Sequence, residues 1–93
     1  DSRSFKMKLI FAILRDDDVD NVVQALTTGN FRVTRVASTG GLFRKGSTTL
    51  LIGIDDEQVD SAIELLRTNT TSEPHEQKRA TVFVVPVSRF EQL

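Results

Sequence analysis

Leu14–Leu26 reads LRDDDVDNVVQAL and Ile54–Leu66 reads IDDEQVDSAIELL. A shift of 40 residues superposes the two stretches. Leu14-Arg15-Asp16 falls on Ile54-Asp55-Asp56, Val19-Asp20 on Val59-Asp60, and Val22, Val23 and Leu26 on Ala62, Ile63 and Leu66. In each copy the apolar residues recur at i, i+3, i+4 and i+7, which places them on one face of a helix. The aspartates at each start suit N-cap and first-turn positions, where they accept from free N–H groups and complement the positive end of the dipole. Gly29 stands where a left-handed helix stop is expected.

Outward from the helices lie the strands. Met7–Leu14, MKLIFAIL, is a nearly continuous apolar run, the pattern of a strand buried on both faces. Phe31–Ser38 (FRVTRVAS) alternates, and Thr48–Ile54 (TTLLIGI) is a further strand. Thr68–Lys78 is polar and contains a proline, so it reads as a loop. Ala80–Val87 (ATVFVVPV) is the last strand, and Pro86 puts it near a sheet edge or a strand end. A strand–helix–strand unit used twice predicts the α+β class, a ferredoxin-like βαββαβ sandwich with one antiparallel sheet and both helices on one face. If the apolar residues of the first and last strands point both ways, the uncovered face is buried by a neighbouring subunit, and an oligomer is expected.

Composition narrows the function classes. A chain of 93 residues is one small domain, here residues 7–93, preceded by a polar arm or tag remnant at residues 1–6. A net charge of -1 is wrong for a general nucleic-acid binder, so a nucleotide partner is small and locally held. There is no cysteine, which excludes disulfides, iron–sulfur clusters and thiolate metal sites. The longest apolar run, Leu9–Leu14, is too short for a membrane span, and the expected setting is cytoplasmic. His75, the single histidine, lies between Glu73 and Glu76 in the polar loop and reads as solvated; no metal site is expected. Without cysteine or tyrosine, and with that one histidine, no nucleophile–base pair is available, so the protein is not read as an enzyme.

Ala37–Thr49, ASTGGLFRKGSTT, is the segment that a plain hairpin explains least. Gly41 and Gly46 have the spacing of a phosphate loop, yet Ser47 occupies the lysine position and a strand follows instead of a helix. Gly40 and Gly41 expose consecutive backbone N–H groups, a nest for an anion. Leu42 and Phe43 offer apolar flats beside Arg44 and Lys45, a combination that suits a nucleotide. Asn30, Arg32 and Thr34 come from the helix end and the following strand and add base-edge and phosphate contacts.

MKLIFAIL, GNFRVTRVASTGGLFRKGSTTLLIGIDDEQVD and ATVFVVPV closely resemble the PII-like cyclic di-AMP receptors of Gram-positive bacteria, across Met7 to Leu93. The resemblance implies a homotrimer with one cyclic di-AMP in each cleft between subunits, acting on an unknown downstream protein. It implies ligand contacts from Asn30, Arg32 and Thr34, from Gly41, Leu42 and Phe43, and from Ser47, Gly53 and Gln92. Gly40 joins them as a backbone donor. This sequence departs from the family where Leu42 precedes Phe43, where Ser47 replaces an asparagine, and where the second large loop shrinks to about Thr68–Arg79. Two other readings stay open beside it: a PII-like trimer sensing a different adenine nucleotide, and a structural oligomer without ligand.

Overall fold

The computed structural model describes residues 6–36, 46–70 and 80–93. In chain order the elements are β1 (Met7–Arg15), α1 (Asp16–Thr28), β2 (Arg32–Val36), β3 (Ser47–Asp55), a 3-10 turn (Asp56–Gln58), α2 (Val59–Thr68) and β4 (Ala80–Val87). The strands make one sheet in the order β2-β3-β1-β4, and all three pairings are antiparallel. This is the expected double strand–helix–strand arrangement, with β4 on an edge where Pro86 removes no bond to a further strand. The expected second strand ran to Ser38; the described part of β2 ends at Val36, and residues 37 and 38 lie outside the described set.

Burial follows the strand period of two. Ile10, Ala12 and Leu14 of β1 and Leu50, Ile52 and Ile54 of β3 are buried. Against them pack Val19, Val22 and Leu26 of α1 and Ala62 and Leu66 of α2. Val23 and Val59 lie at the margin of this core, and Leu65, outside the expected helical quartet, packs there too. Each fully buried Leu or Ile contributes roughly 1.5–3 kcal/mol by leaving water. Within one subunit the helices cover one side of β1, and Leu9, Phe11 and Ile13 on the other side are half-buried, so burial of both faces is left to a subunit contact.

The helix ends differ from the expectation in an informative way. Arg15 is the N-cap of α1 and makes no side-chain cap bond; Asp16, Asp17 and Asp18 fill the first turn instead. Asp16 is committed elsewhere, since its carboxylate accepts from the Thr48 hydroxyl and its N–H donates to the Gly46 carbonyl. The second aspartate pair does not open α2 directly, because a 3-10 turn intervenes and Gln58 precedes the helix. At the far end of α1, Gly29 has φ -83°, so it is not the left-handed residue. Asn30 is, with φ 69°. Phe31 N–H donates to the Leu26 carbonyl and Asn30 N–H to that of Thr27, the bond pair of a Schellman stop with Asn30 at the left-handed position. Gly29 is small for another reason: a Cβ there would lie 3.3 Å from the Phe31 ring.

Candidate functional site

Alternation along β2 and β3 sorts their residues. Val33 and Arg35 pair with Ile52 and Leu50 and belong to the helix side. There Arg35 reaches Asp20 of α1 at 3.1 Å. Arg32, Thr34 and Val36 pair with Gly53, Leu51 and Thr49 and belong to the open face. The Schellman stop therefore sets the entry to β2: the left-handed turn at Asn30 precedes a strand in which Arg32 faces away from the helices.

Asn30, Phe31 and Arg32 on one side and Gly53, Asp55 and Gln58 on the other line a shallow cleft of about 250 Å³, with Met7 at its margin. Arg15, Arg35, Arg67 and Arg89 each pair with a carboxylate. Arg32 is exposed and, among the described residues, has no ion-pair partner. Gly53 lies directly opposite it in the ladder, and a Cβ there would meet nothing within 4 Å. Its backbone does not require glycine, so its effect is to leave the strand surface beside the guanidinium bare. An unpaired guanidinium over a bare strand, next to the Asn30 amide, is suited to a phosphate with a base edge nearby.

The expected site residues divide into groups. Asn30, Arg32 and Gly53 come together in the cleft, and Thr34 is the next open-face position along β2. Ser47 is not with them. It starts β3 opposite Arg15, six residues from Gly53 and so about 20 Å away along the strand. Gly40, Gly41, Leu42 and Phe43 lie outside the described residues. Gln92 is in the exposed segment after β4, which leaves the sheet at Val87 opposite Met7, the same end as Arg32 and Gly53. A second cleft of about 250 Å³ lies there, lined by Met7, Val87, Ser88, Arg89 and Phe90. Asp55 is expected only at the start of a helix and Gln58 carries no expected role; Asp55 lines the cleft as the last residue of β3, and Gln58 reaches it from the 3-10 turn, which composition does not signal. Among the described residues no three His, Cys, Asp or Glu side chains converge as a metal site would require. No helix among them is long and apolar enough to cross a membrane.

The sequence model of the family described as "Cyclic-di-AMP receptor" matches residues 7–78. The chain belongs to the cyclic-di-AMP receptor family. That match ends before β4, so Gln92 is beyond the matched residues, although the resemblance was read through to Leu93. Among solved structures, the chain is similar to a functionally unknown protein from Pediococcus pentosaceus ATCC 25745. The two are 31% identical with a TM-score of 0.78, over 97% of this chain and 100% of the other.

Proposed function

We propose that this protein is a PII-like signal receptor that binds cyclic di-AMP between the subunits of a homotrimer and passes the bound state to another protein, with no chemistry of its own. The observation that carries this reading is Arg32: a cation with no counter-ion among the described residues, beside the bare strand at Gly53, in a member of a cyclic-di-AMP receptor family. Asn30 and Thr34 flank it as neutral hydrogen-bonding groups. The separation of Ser47 from Arg32 and Gly53 along β3 supports a site shared between chains, because one small ligand cannot span both ends of the sheet in a single subunit. The half-buried apolar open face supports the same assembly.

Calorimetric titration with cyclic di-AMP, using cyclic di-GMP and ATP as controls, tests the proposal. The expected result is selective binding of cyclic di-AMP near one ligand per subunit. Arg32→Ala is expected to weaken it by about 1–3 kcal/mol, the contribution of a charge-assisted hydrogen bond. The melting temperature should hardly move, since Arg32 is exposed and makes no ion pair among the described residues. Unchanged affinity in that variant removes Arg32 from the site. Binding of ATP alone moves the protein to the adenine-nucleotide sensors.

A further inference from the structure

We propose that Thr49 is an additional contact of the nucleotide site, its hydroxyl unpartnered in the free protein and hydrogen-bonded to a base edge when the ligand is bound. The proposal rests on the cyclic di-AMP reading and extends it to Thr49, which ends the glycine-loop segment without an assigned role and lies outside the Arg32 cleft. Thr48 and Thr49 are adjacent and face opposite ways. Thr48 lies on the helix side and donates to Asp16, a structural use that accounts for its hydroxyl. Thr49 lies on the open face, 5% exposed, and its Oγ1 is enclosed with no hydrogen-bond partner among the described residues.

An enclosed, unsatisfied hydroxyl is a net cost to folding, and valine fills the same space without it. A local rule broken without structural return marks a residue kept for something else. The position fits. Thr49 continues the open-face row that holds Arg32 and Thr34, with Thr34 its diagonal neighbour across the β2–β3 ladder. Gly53, opposite Arg32, is four residues further along β3, about 13 Å away, so an elongated ligand anchored by phosphate at Arg32 extends towards Thr49. The ladder partners of Thr49 are Ile13 and Val36, with no cation among them. That setting suits a neutral heterocycle edge rather than a phosphate, and a hydroxyl both donates and accepts there.

Thr49→Val and Thr49→Ser, each studied by thermal melting and by titration with cyclic di-AMP, test the assignment. Thr49→Val is expected to melt at or above the wild-type temperature and to bind about 5- to 10-fold more weakly, the effect of one neutral hydrogen bond. Thr49→Ser keeps the hydroxyl and is expected to bind within about 2-fold of wild type. Wild-type affinity in Thr49→Val overturns the proposal. So does a lower melting temperature or loss of folding in that variant, since either shows that the hydroxyl already has a partner in the free protein. If Arg32→Ala loses affinity while Thr49→Val does not, the receptor reading stands and Thr49 is not part of the site. If the folded wild type does not bind cyclic di-AMP, both fail together.

Discussion

At the scale of single residues, three neighbours carry most of the local argument. Gly29, Asn30 and Phe31 end α1 and begin the cleft, and their roles are distributed differently from what the bare sequence suggests. Glycine is the usual left-handed stop, so Gly29 is the natural choice on sequence alone. The Phe31 ring, folded back over the helix end, takes the space that a side chain at position 29 would need, and the left-handed turn moves to Asn30. Asparagine tolerates that backbone better than most residues. Asn30→Gly should therefore fold at least as stably as wild type, whereas Asn30→Ala should lose about 1 kcal/mol in urea denaturation. Equal stability of the two variants would mean that the positive φ is not under strain. Both variants lack the amide, so a shared loss of ligand affinity separates its binding role from its backbone role. None of this was legible without the position of the Phe31 ring, which is a tertiary fact.

Elements were read more faithfully than their ends. Helical period and strand alternation are set by residues four or fewer apart, and they identified both helices and all four strands. What intervenes between β3 and α2 depends on a distant partner. Asp56 bonds Lys8 of β1 at 2.7 Å, and its N–H donates to the Lys6 carbonyl. These bonds across the sheet accompany a 3-10 turn where capping of α2 was expected. The hydrogen bond from Lys8, and then its charge, hold the Asp56 carboxyl below its ordinary pKa. A carboxylate with a lowered folded-state pKa stabilises the fold above its unfolded pKa, and that contribution is lost as pH falls through the folded value. The melting difference between wild type and Lys8→Met should thus be constant above about pH 4 and shrink below it. A difference that does not change with pH would show that the pair contributes nothing, as many exposed pairs do.

For the whole molecule, the uneven burial of the two sheet faces is the dominant fact. Phe11 of β1 faces Phe83 of β4 across the ladder, on the side without helices, and Phe83 is 54% exposed. Leu9 and Val85 form the next row. The apolar character of these strands was plain in the sequence, but which residues share a face depends on register, which a single strand does not specify. The same holds for the site: Asn30, Arg32 and Thr34 stand out by their place at the helix end and along the next strand and by the family resemblance, yet the position of Gly53 opposite Arg32 emerges only when β3 is laid beside β2. Phe83→Glu should convert the proposed trimer into a monomer by light scattering while leaving the far-ultraviolet circular dichroism unchanged, because the helix-side core is untouched. A trimer that survives this change, or a wild-type monomer, would mean that the open face is not the subunit contact.

The place of β1 between β3 and β4 also constrains how the chain acquires its structure. β1 is an inner strand, and one of its two neighbours, β4, comes from the far end of the same fold: Met7 pairs with Val87. Until that late segment leaves the ribosome, one backbone edge of β1 stays open and the helix layer rests on an incomplete sheet. Contacts of such long sequence separation slow folding and prolong the exposure of strand edges. The nascent chain thus passes through a period in which MKLIFAIL is available to any other strand nearby, including that of a sister chain on the same message.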